Sequence, residues 1–198
     1  MTGLAAAVLT DRDIRAALDN GDLTVDPFEP SMIRPGALSL RLGHEAFTLV
    51  STGPVDIADR TSHPELRPKI LDDEGRLVVE PGEVVLAPTL ERVGLSGRLA
   101  GLVDGTSSYA RLGVSIVLSH QVSPGFGDGG GAIITLEITS HLRHPVLLRP
   151  GMRVANLMLF ATSGSEVLYG AMPFNYSSDQ RVAPSRLADH VAQAYLAG

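Results

Sequence analysis

The stretch Arg76-Leu77-Val78-Val79-Glu80-Pro81-Gly82-Glu83-Val84-Val85-Leu86-Ala87-Pro88-Thr89 decides the fold class. Two runs rich in Val and Leu, 76–79 and 84–89, flank Glu80-Pro81-Gly82-Glu83, and the Pro-Gly pair between them is a turn signal. The same punctuation returns at Arg149-Pro150-Gly151-Met152, between the runs 145–148 and 154–160. Further candidate strands are 38–42 and 46–50, on either side of Gly43-His44, then 99–103, 114–118 and 132–139. With 21 Gly and 13 Pro spread along the chain, this is the pattern of many short strands joined by tight turns. It predicts a mainly β fold, a sandwich or a barrel. One helix is expected over 9–21, where Thr10 caps it, Asp13 sits in the first turn, Ile14 and Leu18 share a face and Gly21 stops it. Residues 51–75 are polar and irregular and read as a surface excursion. The tail 163–198 is polar and turns mildly helical from Ser185, through Leu187, Val191 and Tyr195.

At 198 residues the chain suits one domain, 1–198, with enough length to bury a core. It is 44% hydrophobic and 19% charged, a globular balance. Its 16 basic and 22 acidic side chains leave a net charge of −6, which argues against a binder of duplex nucleic acid. The absence of cysteine excludes disulfides, thiolate zinc sites and cysteine nucleophiles. The apolar stretch 4–9 is too short for a membrane span and lacks the basic lead of a signal peptide, so no membrane partner and a cytoplasmic location are expected.

Three segments carry candidate chemistry. In Asp104-Gly105-Thr106-Ser107-Ser108-Tyr109-Ala110-Arg111-Leu112-Gly113, hydroxyls and backbone N–H groups are offered to an oxyanion, with Arg111 about one helical turn from Ser107. The same residues fit a serine-rich helix cap and a surface arginine. In Ile133-Ile134-Thr135-Leu136-Glu137-Ile138-Thr139 a lone carboxylate sits among apolar and β-branched neighbours. If its face is covered, Glu137 suits a general acid/base; on a half-exposed sheet it faces water. Ser119-His120-Gln121-Val122-Ser123-Pro124-Gly125-Phe126-Gly127-Asp128-Gly129-Gly130-Gly131 reads either as a long hairpin connection or as a loop whose backbone approaches a ligand. His141-x-x-His144 has ligand-like spacing but no third ligand nearby, so no metal-binding residue is assigned.

Taken in order, several motifs resemble the dCTP deaminase branch of the dUTPase superfamily over nearly the whole chain. They are Leu9-Thr10-Asp11-Arg12-Asp13-Ile14, Arg34-Pro35-Gly36-Ala37-Leu38-Ser39-Leu40-Arg41-Leu42-Gly43, Pro81-Gly82-Glu83, the segment Gly105 to Gly113, Ile134-Thr135-Leu136-Glu137, Arg149-Pro150-Gly151-Met152 and the tail from Tyr176 to Arg186. The resemblance implies a homotrimer of distorted β-barrel or jelly-roll subunits with sites between subunits, and a tail, 163–198, that closes over the site. It implies a cytosine nucleotide partner bound with Mg²⁺ through its phosphates, and zinc-independent deamination at C4, dCTP to dUTP by default. By motif match, Glu137 activates water, and Ser107 and Arg111 support the attacked centre. Gly105, Thr106 and Ser108 meet phosphates, His120, Gln121 and Ser123 belong to the region supporting base and sugar, and Tyr176 and Gln180 belong to the closing tail.

Thr106 departs from the family's usual Lys or Arg, Ser123 from an Asp that serves phosphate hydrolysis, and Ser39 from an Asp. The loop before Ser123 is one residue short and the Gly127-Asp128-Gly129-Gly130-Gly131 stretch is long. Two further readings follow: a nucleotide-binding relative without catalysis, and a dUTPase-like diphosphohydrolase, against which Ser123 argues.

Overall fold

The computed structural model describes residues 7–195, with side chains to Val191. Residues 4–6 of the apolar opening, the Tyr195 side chain and the end of the tail therefore lie outside the described part. In chain order, helix α1 (Asp11–Asn20) precedes β1 (Leu23–Asp26), β2 (Ile33–Arg34), β3 (Ala37–Arg41), β4 (Phe47–Val50), β5 (Glu65–Pro68), β6 (Leu77–Val79), β7 (Val84–Leu95) and β8 (Leu99–Gly105). Then come α2 (Ser107–Ala110), β9 (Val114–Ser115), β10 (Gln121–Val122), β11 (Ala132–Ser140), β12 (Val146–Leu148), β13 (Arg153–Ala161) and α3 (Leu187–Tyr195).

The strands form one sheet in the order β5-β4-β7-β11-β9, with β1 also paired to β7, and a second in the order β10-β8-β13-β3-β2. A two-stranded ribbon pairs β12 with β6. The fold is mainly β, but among the described residues these sheets do not join into one closed barrel. Among the described residues one bridge, Leu42 to Thr89, links the two large sheets. It forms where β3 leaves one sheet and the chain crosses to β4 in the other, so 38–42 and 46–50 are not a hairpin. Gly43 permits the crossing: its N–H donates to the Pro88 carbonyl at 2.8 Å, and a Cβ there would meet Pro88 at 2.8 Å.

Both sheets contribute to one core. Leu38, Leu40, Val103 and Leu157 from one meet Val85, Ala87, Leu136 and Ile138 from the other, and all are buried. Burial of such aliphatic side chains is the main stabilising term, about 1.5–3 kcal/mol each. Helix α1 adds Ile14 and Ala17 to the buried set. Its start is held by the Asp13 carboxylate, which accepts from the Thr10 N–H at 2.9 Å and the Thr10 hydroxyl at 2.7 Å.

Three expectations are corrected. Residues 51–75 are not wholly irregular, because β5 returns to pair with β4 along Phe47 to Val50. The run 114–118 is a strand only at Val114–Ser115; beyond it the chain turns its amides to a carboxylate described below. Strands β1, β2 and β10 escaped the pattern because they are only two to four residues long.

Two ion pairs brace the sheets. Glu91 is fully buried on β7, and its carboxylate accepts from the Arg41 backbone N–H at 2.8 Å and the Arg41 Nε at 2.6 Å. Arg41 reaches on to Glu29 at 2.6 Å. Removing one partner of such a pair strands the other charge in the interior. Glu91→Ala is expected to lower unfolding free energy by about 3–5 kcal/mol, read from urea denaturation. The second pair joins Glu83, after the Pro81-Gly82 turn, to Lys69 at 2.7 Å, with the Thr48 hydroxyl donating at 2.6 Å. Burial pushes the Glu83 carboxyl up, but the bonds from Lys69 and Thr48 outweigh it and hold it below its ordinary value of 4.5. Its contribution to stability is therefore complete above about pH 4.5 and is lost as pH falls through the depressed folded value. Glu83→Gln should narrow the stability difference between neutral and acid pH, measured by denaturation at a series of pH values.

Candidate active site

Strand β11 places the central carboxylate. Pleating sends Leu136 and Ile138 to the core and Thr135 and Glu137 to the opposite face. The β11–β7 ladder is interrupted, with Ile133 opposite Arg92 and Thr135 opposite Pro88. Pro88 has no N–H to give, and β7 carries extra residues there. The buried Ile134 N–H is satisfied instead by the Thr89 hydroxyl at 3.0 Å, and that hydroxyl donates to the Glu91 carbonyl at 2.7 Å.

Glu137 lies across from Leu86 of β7 and is half-buried. Its Oε2 accepts from the backbone N–H groups of Leu118 at 3.0 Å and Ser119 at 3.4 Å. This explains why the chain leaves the sheet after Ser115: its amides serve a carboxylate rather than a strand partner.

Glu137, Gln121, Ser123 and Tyr176 line one cavity of about 500 Å³, together with Ser119, Phe126, Thr135, Tyr169 and Asp179. The Gln121 side-chain amide donates to the Ser123 hydroxyl at 3.2 Å. The tail supplies the far wall and is tied to the core through its backbone. Ile133 N–H donates to the Asp179 carbonyl at 3.0 Å, and Tyr169 N–H to the Pro124 carbonyl at 2.9 Å. Gly127 N–H donates to the Ser177 carbonyl at 2.9 Å. Gly127 has φ +64°, and a Cβ on it would lie 2.0 Å from the Val93 carbonyl oxygen, so only glycine fits. Gln180 does not line the cavity; its amide donates to the Gly131 carbonyl beside it at 2.8 Å.

Tyr176 is fixed at both ends. Its N–H donates to the Tyr169 hydroxyl at 3.2 Å, and its own hydroxyl accepts from the Arg186 N–H at 2.9 Å. The Arg186 guanidinium stacks over the Tyr176 ring at 4.5 Å, pairs with Asp179 at 2.9 Å and donates to the Asn175 carbonyl. Asp179 and Arg186 were not singled out from the sequence, although both fall inside the tail motif. The amides on Glu137 left no side-chain signal at all.

The other sequence-derived residues lie elsewhere. Gly105, Thr106, Ser107, Ser108 and Arg111 do not line this cavity. They form the end of β8 and the single turn α2, where the Thr106 carbonyl accepts from Tyr109 and Ala110. Ser107, Ser108 and Arg111 are exposed. The turn is anchored from behind by the Tyr109 hydroxyl on the Arg153 carbonyl at 3.1 Å, and burial pushes that phenol up. His120 is also outside the cavity, its Nδ1 3.0 Å from the Val103 carbonyl and 3.9 Å from Asp104. It therefore shares the end of β8 with the Gly105–Arg111 segment. His141 Nε2 lies 3.1 Å from the Ser115 hydroxyl.

Among the described residues, no three His, Asp or Glu side chains converge closely enough to hold an ion by themselves. Among the described residues no helix is long and apolar enough to cross a membrane.

The chain is similar to known proteins. A family model described as dCTP deaminase-like matches residues 8–162. The chain is 35% identical over 183 residues to a "dCTP deaminase, dUMP-forming" of Corynebacterium efficiens, covering 90% of this chain and 93% of that protein. It is 36% identical over 183 residues to the protein of the same name from Mycolicibacterium vanbaalenii, covering 90% and 95%. Among solved structures, a 2'-deoxycytidine 5'-triphosphate deaminase from Agrobacterium tumefaciens superposes with a TM-score of 0.59 at 19% identity. That match covers 79% of this chain and 48% of the other, so this chain spans about half its length.

Proposed function

The chain belongs to the dCTP deaminase-like family, and from that premise we propose that it deaminates a cytosine nucleotide by hydrolysis at C4, with dUMP as the uracil product. The default product expected from the sequence, dUTP, is corrected because the matched relatives are dUMP-forming by name. The observation that carries the reading is Glu137: a half-buried carboxylate lining a cavity, tethered through one oxygen to two amides.

Glu137 takes a proton from water as the water oxygen bonds to C4, and passes it to N3 of the ring. The C4 hydroxyl proton is then relayed by Glu137 to the amino nitrogen, the C4–N bond breaks to release ammonia, and the C4 carbonyl forms. The tether on Oε2 leaves Oε1 to handle the proton. No zinc is needed, because water activation is assigned to this carboxylate in a chain without cysteine. When bound, Mg²⁺ neutralises phosphate charge; it arrives on the nucleotide.

Ser107 and Arg111 are exposed and do not line the cavity that Glu137 lines in the same chain. We assign them to the cavity of a neighbouring subunit in a homotrimer of jelly-roll-like domains, where they support the attacked centre. Gly105, Thr106, Ser108 and His120, on the same end of β8, go with them. Gln121 and Ser123 hold base and sugar within the chain's own cavity, and Tyr176 closes it on a tail that Gln180 fastens to Gly131. In this reading 1–198 is one dUTPase-like domain, with α1 at its start and the tail 163–198 as cover.

Glu137→Gln is expected to cut ammonia release from cytosine nucleotides by about 10²–10⁴-fold with the fold intact by circular dichroism. Undiminished release would defeat the reading. Glu137→Gln and Arg111→Ala proteins, each inactive, should recover activity when unfolded and refolded together, because mixed trimers contain sites with both groups. Failure to complement, with trimers present in sedimentation, would return both residues to one chain.

A further inference from the structure

We propose that Arg186 is a positioning residue of the deaminase site: it clasps the tail into a loop that holds Tyr176 on the cavity wall, and so sets how tightly the cytosine nucleotide is bound; this rests on the deaminase reading above. Arg186 does not itself line the cavity, and it acts through two residues that do, Tyr176 and Asp179. Its guanidinium stacks over the Tyr176 ring at 4.5 Å and meets the two Asp179 carboxylate oxygens at 2.9 and 3.1 Å. Its backbone N–H donates to the Tyr176 hydroxyl at 2.9 Å. One residue thus joins the end of the loop to its beginning.

The turn that delivers Tyr176 needs such a tie. Phe174 has φ +56°, a left-handed conformation that a side chain of this size adopts only when its surroundings hold it there. Asn175 Nδ2 braces the turn on the Met172 carbonyl at 2.6 Å, and Arg186 ties it down by donating to the Asn175 carbonyl. Asp179 carries the tie on to the strand of Glu137. Its main-chain carbonyl accepts from the Ile133 N–H at 3.0 Å while its carboxylate holds Arg186. The Arg186 and Asp179 side chains are 32% and 15% exposed, so water competes for this pair less than for one at the open surface. Arg186 has a fixed seat of its own, because α3 starts at the next residue, with Ala188 buried and Asp189 3.0 Å from Arg60.

A clasp of this kind acts on binding and not on the chemical step. With it gone, the tail spends part of its time away from the cavity, and the apparent affinity falls with the fraction of molecules that are closed. Saturating nucleotide draws the closed form back, so Glu137 then meets the base as before. Lysine is a poor substitute. Its point charge can meet Asp179, but it has no planar face for Tyr176 and no fork of donors to reach Asn175 at the same time.

The test compares full-length wild type, Arg186→Ala, Arg186→Lys and Asp179→Asn by ammonia release from dCTP with Mg²⁺, by calorimetric binding of dUMP, and by hydrogen exchange. Arg186→Ala is expected to raise KM for dCTP and Kd for dUMP by about tenfold or more with kcat within about twofold, and Arg186→Lys to recover only part of the loss. Asp179→Asn should raise KM in the same direction and add little to Arg186→Ala in the double variant, since both remove one pair. The amides of Gly127 and Ile133, which donate to tail carbonyls, should exchange about tenfold faster in Arg186→Ala, with β8 and β13 unchanged. A folded Arg186→Ala protein with unchanged KM, dUMP binding and exchange overturns the clasp, as does a fall in kcat with KM unchanged. If Arg186→Ala does not fold, Asp179→Asn carries the same comparisons. If the wild type releases no ammonia, the deaminase reading fails, and dUMP binding with exchange decides the clasp alone. Weaker binding and faster exchange in Arg186→Ala then support it; equal values, or no dUMP binding by the wild type, overturn it.

Discussion

The pairing of Glu91 with Arg41 is the constraint on which the rest of the fold depends. A carboxylate with no exposure must be satisfied completely, and Arg41 satisfies it with both a main-chain and a side-chain donor. Because Arg41 ends β3 in one sheet and Glu91 lies in β7 of the other, the pair joins the sheets close to the Leu42–Thr89 bridge. It also fixes the irregular stretch of β7. There Thr89 uses its hydroxyl to satisfy Ile134 and so sets how β11 resumes its ladder. A slip of one residue would exchange the two faces of β11 and turn Glu137 into the core. The position of the cavity carboxylate therefore follows from a charge pair on the neighbouring strand.

The second organising feature is the tail. Among its described residues it holds no strand, and it docks through its main chain: the Ser177 and Asp179 carbonyls accept from Gly127 and Ile133, and the Tyr169 N–H donates to the Pro124 carbonyl. The long glycine run of 127–131 suits this role, since Gly127 is squeezed between the Val93 carbonyl and the tail. Side-chain contacts then fix Tyr176 within the tail itself, through Arg186 and Tyr169.

Much of the architecture was legible in the sequence, and the failures have physical causes. Pro81-Gly82 and Pro150-Gly151 marked real turns, and runs rich in Val, Ile and Leu became β7, β8, β11 and β13. Short strands such as β2 and β10 carry too few residues to show a period. Strand β5 was hidden by Arg67 and Glu65, whose charges suit its exposed edge position. At the site, alternation along β11 correctly separated Glu137 from Leu136 and Ile138. Spacing also put Ser107 and Arg111 on one short turn, but no local pattern tells which cavity such a turn serves. The amides of Leu118 and Ser119 belong to the backbone and are invisible to side-chain reasoning.

The way the cavity is walled has a consequence for biosynthesis. Its floor comes from strands complete by Glu137, but Tyr169, Tyr176, Asp179 and Ser185 come from the final portion of the chain. The strands of both sheets end at Ala161, and all four of those side chains come after it in sequence. An interrupted translation product that stops before Tyr169 therefore carries Glu137 without the tail's side of the cavity.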